Sequence, residues 1–198
     1  FFTDHITKNE TQAWNSDNNI SWLGADSHKN LWCMLTNAPG LWKLNKECRI
    51  TMHKNPLLEN GTNYDGSIYK ILFDKNDNIW CATNKGLFRY DVLTNRMHLV
   101  KYELISEEVQ GSIWIKDIIE LNDGSLLFST YVGLYHVTTR AGIPVVKPIN
   151  FLRPGAYTGF NRLFQDKNDR IYVKTLGDSL YILKPGSGGN EFDLIGSI

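Results

Sequence analysis

The sequence predicts an all-β chain made of about four four-stranded blades, the unit from which β-propellers are built, and three observations carry that expectation. First, a short pattern recurs along the chain. It reads "NLWCMLTNAPGLWKL" from Asn30, "NIWCATNKGLFRY" from Asn78, "SLLFSTYVGLYHV" from Ser125 and "RIYVKTLGDSLYIL" from Arg170. The leucine after its turn falls at Leu41, Leu87, Leu134 and Leu180, so the steps are 46, 47 and 46 residues. Second, each copy holds four short apolar runs separated by turn residues such as "DKND", "NK" and "VLTN". Third, no segment keeps a long 3.6-residue apolar period, which leaves little room for helix.

The second copy shows the elements most clearly. "SIYKILF" (Ser67–Phe73), "NIWCAT" (Asn78–Thr83), "GLFRYD" (Gly86–Asp91) and "MHLVKY" (Met97–Tyr102) each have strand composition. A repeat of four strands every 46 or so residues matches propeller blades, which run slightly above 40 residues. One such sheet cannot cover both of its faces, whereas stacked sheets can, and the repeated Trp, Phe, Tyr and Leu supply the filling. The expected blades run over 19–53, 67–102, 113–147 and 159–198, with 1–8 the outer strand of a neighbouring or closing blade. Gly40, Gly86 and Gly133 suit the turn between second and third strands. In the fourth copy "GDSL" replaces "GL", which implies a longer turn there. "ELISEEVQGS" (Glu103–Ser112) reads as a connecting loop with room for one helical turn.

Composition excludes several classes. The 198 residues hold 21 Lys plus Arg and 21 Asp plus Glu, so no basic excess marks a nucleic-acid binder. No apolar run reaches the roughly 18 residues that a spanning helix needs. The chain opens on Phe1 without a leader pattern and reads as a mature segment or a piece of a longer chain. Cys33, Cys48 and Cys81 are odd in number and lack C-x-x-C spacing; two follow Trp32 and Trp80 and read as buried strand thiols.

Catalytic and metal signals are weak. "DKNDN" from Asp74 fits the start of a calcium loop, but Ile79 stands where such a loop needs Gly and Lys85 where it needs Glu. Asp26, Asp74 and Asp166 hold one place in the repeat, and the third copy reaches the same turn with Asn122–Gly124, so these acids read as turn residues. His5, His28, His53, His98 and His136 form no ligand pair, and no nucleophile elbow or phosphate loop is present. No cofactor or metal is expected.

Binding has a better signal. One register of the first strand varies sharply between copies: Trp22, Lys70, Asp117 and Arg162. The loops between second and third strands lie at the same end and vary likewise at Asn37, Lys85, Tyr131 and Asp178. Structure alone is served by one residue type at each place. Aromatic faces with charged and amide groups suit a sugar or an anionic sugar.

The repeats resemble the two-component regulator propeller family, whose pattern runs roughly I-x-x-I-x-x-D-x-x-G-N-I-W-I-G-T-x-x-G-L-x-R-Y-D. "SIYKILFDKNDNIWCATNKGLFRYD" follows it, departing at Asp77 (Gly in the family) and at Cys81-Ala82 (Ile-Gly). The resemblance implies a periplasmic sensor region of a hybrid two-component receptor of Bacteroidetes type. It further implies an oligosaccharide ligand, a membrane-anchored histidine kinase as partner, further blades in the parent chain, and no catalysis by this segment. Four blades closing alone, a glycan lyase or hydrolase, and a protein-interaction scaffold are the alternatives. An open set of blades would expose an apolar face and favour a homodimer.

Overall fold

A computed structural model describes residues 19–35, 40–101, 103–104, 114–141, 143–149, 159–186 and 192–198. The described residues are all strand and turn, and none of them forms a helix long and apolar enough to cross a membrane. The expected strand over 1–8 lies outside them, as does all of the 103–112 connection except Glu103–Leu104, which is a two-residue strand.

The strands are β1 (Ile20–Ala25), β2 (Leu31–Leu35), β3 (Leu41–Leu44), β4 (Ile50–Lys54), β5 (Leu57–Leu58), β6 (Ile68–Phe73), β7 (Ile79–Thr83), β8 (Gly86–Asp91) and β9 (Arg96–Leu99). They continue as β10 (Glu103–Leu104), β11 (Ile115–Glu120), β12 (Leu126–Thr130), β13 (Leu134–Arg140), β14 (Ile143–Ile149), β15 (Phe160–Gln165), β16 (Ile171–Thr175), β17 (Leu180–Pro185) and β18 (Phe192–Ser197). They make four sheets, ordered β1-β2-β3-β4, β5-β9-β8-β7-β6, β10-β14-β13-β12-β11 and β15-β16-β17-β18. The fold is that of β-propeller blades, each an antiparallel meander of four consecutive strands.

Two sheets have a fifth strand that the sequence did not announce. β5 pairs in parallel with β9, and β10 with β14. Each covers two residues of an outer edge whose N–H and C=O groups would otherwise face solvent. β5 is tied on by Leu57 N to Asn95 O at 2.9 Å, and Arg96 Nη1 donates to the carbonyls of Leu58 and Glu59 at 3.1 and 2.7 Å.

Contacts divide the chain into two units. The first spans Phe1–Asp65, Phe73–Trp80 and Arg89–His98; the second spans Gly66–Leu72, Cys81–Phe88 and Leu99–Ile198. In the first, Cys33, Leu35, Trp42 and Leu44 form a buried cluster with Leu31 and Ile50 at its margin. His53 stacks on Trp42 at 3.6 Å and 11°. On the opposite face of the same sheet, Trp22 and Trp32 pack against Phe73. In the second unit, Leu127, Leu134, Leu163, Ile171, Val173 and Leu183 anchor the core between the third and fourth sheets.

Burial tells which faces are covered. All five residues of β12 are buried, so the third sheet is covered on both sides. β16 alternates buried and half-buried, so the fourth is fully covered on one side only. Tyr172 and Lys174 lie on its less covered face, with Phe164 61% exposed beside them.

The turns show the chemistry behind the repeat. Asp74 Oδ1 accepts from the backbone N–H of Asn76 and Asn78 at 2.9 and 2.8 Å, and Oδ2 accepts from Asn78 Nδ2 and Trp80 Nε1, both at 2.8 Å. Asp26 does the same for Asn30 and Trp32, and Asp166 for Asn168, Arg170 and the Tyr172 hydroxyl. The acid is therefore a latch between the turn and the ring on β2, β7 or β16. Lys29, Asp77, Gly124 and Asp169 occupy one place in the four copies, all left-handed, with φ 65°, 60°, 85° and 61°. Gly40 and Gly86 adopt φ near +115° (114° and 116°) before β3 and β8, which side chains rarely do. Gly133 stands at the same place in a turn of the same length but does not take a left-handed φ; there Thr130 Oγ1 accepts from the N–H of Val132 and Gly133. The fourth turn, between β16 and β17, is one residue longer.

Candidate functional site

Three first strands carry an irregularity at one place. The pairing with the second strand shifts between Ile20 and Trp22, between Ile115 and Asp117, and between Phe160 and Arg162. Each shift is a bulge that leaves Ser21, Lys116 or Asn161 unopposed, and a bulge re-aims the side chain it carries.

The varied register lies just after the bulge, and its four residues part company. Trp22 is half-buried against Phe73 and lies over Gly24, where an added Cβ would stand 2.4 Å from its ring. Lys70 Nζ lies 2.5 Å from Asp117 Oδ1. Asp117 is 1% exposed, and its Oδ1 also accepts from its neighbour Ile118 N–H and its Oδ2 from Leu163 N–H, each at 2.8 Å. That carboxylate ties β6, β11 and β15 together, a role in the fold that leaves it little to offer a ligand. Arg162 is exposed and has no hydrogen bond or ion pair among the described residues.

Of the loop positions, Asn37 lies outside the described residues. Lys85 is exposed in the two-residue turn after Thr83, where its N–H donates to Thr83 Oγ1 at 3.0 Å. Asp178 is exposed on the longer fourth turn. Tyr131 is half-buried and belongs to a cluster that the sequence reading missed.

That cluster is built around Lys116. Its ammonium sits 4.0 Å from the Tyr69 ring centre, 4.3 Å from Tyr131 and 5.6 Å from Trp114. Trp114 and Tyr131 stand 5.7 Å apart, tilted by 52°, and Trp114 is 43% exposed. A large ring held at that exposure beside a cation is a part-exposed aromatic surface with a charge against it. The available signal was that Tyr69 and Lys116 occupy the same place in successive copies, one residue before the register that was chosen.

Two clefts adjoin the sheets of the second unit. One, of about 380 Å³, is open and lined by Lys70, Glu120, Asn122, Leu163, Phe164 and Gln165 among others. The other, of about 440 Å³, is lined by Asn122, Asp123, His136, Gln165, Asp169 and Phe192 among others. There Ser125 Oγ lies 2.6 Å from Asp123 Oδ1 and 2.7 Å from His136 Nε2, while Phe192 meets the imidazole edge-on. Ser125 Oγ donates its proton to Asp123 and faces His136 Nε2, whose role in that contact is set by the imidazole tautomer. Among the described residues, no group of three or more His, Cys, Asp or Glu is placed to hold a metal ion. Burial pushes the Cys33 thiol up to about 11 and Cys81 up to about 12, so both remain protonated packing groups. Cys48 is exposed, and all three are free thiols.

No family model matches the chain, and no curated protein does. Solved structures do. Virginiamycin B lyase from Staphylococcus aureus is similar at 16% identity and a TM-score of 0.62, over 87% of this chain and 54% of the lyase. An extracellular domain from B. thetaiotaomicron, named for a hybrid two component system, is similar at 19% identity and a TM-score of 0.61, over 93% of this chain and 23% of that one. A second from the same organism, named for a one component system, matches at 20% identity and 0.61, over 86% and 24%. The chain thus spans about half the length of the lyase and about a quarter of the extracellular domains. At these identities the likeness shows the propeller fold.

Proposed function

We propose that this chain is a ligand-sensing propeller module of the two-component regulator propeller type, from the periplasmic part of a bacterial receptor, and that its ligand is an oligosaccharide. The observation that carries the reading is the Trp114–Tyr131 pair with the Lys116 ammonium against it, at the same end of the blades as Lys85, Arg162 and Asp178. Rigid strands present these residues, and the connecting loops are free to vary. The similarity to extracellular domains of bacterial regulators supports the sensing role. The less covered face of the fourth sheet, with Phe164 and Tyr172, supports further blades in a parent chain or a homodimer of open blade sets. In this reading the signal passes to a membrane-anchored histidine kinase beyond the segment, and the segment itself binds without catalysis and without nucleic acid.

Calorimetric titration with neutral and acidic oligosaccharides tests the assignment. Binding is expected to be lost in Trp114→Ala and weakened in Tyr131→Ala and Arg162→Ala, with unchanged thermal unfolding. Absence of heat with every glycan refutes it. Appearance of shorter or unsaturated products in the mixture replaces it with the enzymatic reading, for which the lyase-like fold is the support.

A further inference from the structure

Resting on that reading, we propose that the aromatic cluster takes a sugar carrying an acid group, a carboxylate or a sulfate ester, with Lys116 as its counter-charge and Trp114 as its stacking surface. The argument starts from how the lysines are used. Lys43 pairs with Asp26 at 3.3 Å, Lys70 with Asp117 at 2.5 Å, and Lys174 donates to the Thr175 carbonyl at 3.1 Å. Lys116 is half-buried as they are, yet among the described residues it has no carboxylate within ion-pair reach and donates no hydrogen bond. Its partners are the rings of Tyr69, Tyr131 and Trp114.

Aromatic faces attract an ammonium, but they do not cancel its charge or accept its three protons as an oxygen does. The rings also displace water, which lowers the local dielectric and strengthens the pull on any anion that arrives. The one acidic side chain next to it in sequence, Asp117, is already neutralised by Lys70. The bulge that carries Lys116 sets where its side chain leaves the strand, and the three rings lie against the ammonium at its end. Trp114 offers its ring to the apolar face of a sugar while the acid group of that sugar, or of the next one, meets the ammonium.

The test uses the chain as it stands and three probes: a trisaccharide of galacturonic acid, the same trisaccharide with its carboxylates reduced to alcohols, and a galactose disaccharide that carries a sulfate ester and no carboxylate. At least one acidic probe is expected to bind about tenfold or more tighter than the reduced one, and high salt should erase that margin. Lys116→Met should abolish the discrimination, and Lys116→Arg should keep it. The carboxylated and sulfated arms separate the two acid types. Binding of both acidic probes no tighter than that of the reduced trisaccharide, or discrimination that survives Lys116→Met, overturns the proposal while leaving glycan sensing intact. Silence of all three probes while a neutral oligosaccharide of another backbone binds overturns it too. Silence of every glycan removes the sensing reading and this proposal with it. Where Lys116→Met fails to fold, the margin of the acidic probes over the reduced one and its salt dependence on the unaltered chain decide.

Discussion

The second and third sheets build the turn between their first two strands on the same backbone: Asp74 N donates to Asn78 O at 3.0 Å in one, and Leu121 N to Ser125 O at 2.8 Å in the other. The closing bonds, Asp77 N to Asp74 O and Gly124 N to Leu121 O, are both 2.9 Å. The chemistry behind them is opposite. Asp74 receives four hydrogen bonds and holds the Trp80 ring, whereas Leu121 and Leu127 stand in those two places and are buried. Acid and tryptophan have gone together. Losing one partner of a half-buried hydrogen bond is costly, while replacing both by apolar groups is close to neutral. The third sheet instead spends a buried acid at the other end of its first strand, where Asp117 joins β6, β11 and β15.

That displaced acid gives the largest expected effect. Asp117→Ala leaves Lys70 and the Leu163 N–H without their acceptor in a site that only the lysine shares with solvent. A loss of about 3 kcal/mol in urea unfolding is expected, the lower end of the range for breaking a buried pair. A loss below about 1 kcal/mol would mean that water replaces the carboxylate and that the acid is not the tie inferred for it.

The latch itself comes next. Asp74→Leu alone should cost about 2 kcal/mol, because Trp80 Nε1 and the turn N–H groups lose their acceptor. Asp74→Leu with Trp80→Leu copies the third sheet and should cost at least about 1 kcal/mol less than the two single losses added together. Strict additivity would show that the third sheet did not reach its apolar turn by dropping a coupled pair.

Acid should expose the same contrast. Burial raises the Asp26 carboxyl, but hydrogen bonds from Trp32, Asn30 and Lys43 outweigh it and hold the group at about 2, against 3.8 ordinarily. Burial likewise acts against Asp74, and the bonds from Trp80, Asn78 and Asn76 bring it down. Groups lowered on folding stabilise the protein above their unfolded value, and that contribution is lost as pH falls through the folded one. Stability should therefore decline from about pH 3.8 towards about 2, the window set by Asp26. The Asp74→Leu/Trp80→Leu variant should show a shallower decline, and an identical acid profile would break the link to the latch.

These contrasts also mark what the sequence could reveal. Repeat, strands and turns were legible because turn residues and alternating apolar runs act locally, and the acid of "DKND" was legible as a turn residue because it recurs. The added edge strands β5 and β10 were not, since two residues carry no period. Nor was the aromatic cluster. Alternation assigns faces by counting in twos, and the shift between Ile115 and Asp117 breaks the count at Lys116. The register chosen from sequence therefore held Asp117, which the fold uses, and passed over the neighbour whose ammonium lies among the rings.

The smallest expected effect concerns the position where Asp77 and Gly124 are counterparts, with φ of 60° and 85°. A left-handed φ costs an ordinary side chain roughly 1–2 kcal/mol, and aspartate less, because its short polar group bonds locally. Asp77→Ala should therefore lose about 1 kcal/mol. Asp77→Gly removes the strain but frees the unfolded chain, and the two terms nearly cancel. Its unfolding midpoint should stay within about 0.5 kcal/mol of the parent. A glycine variant stabilised well beyond that would mean that Asp77 is kept for something other than the turn. A neutral alanine variant would mean that the second sheet's latch, not the φ of this residue, sets the turn.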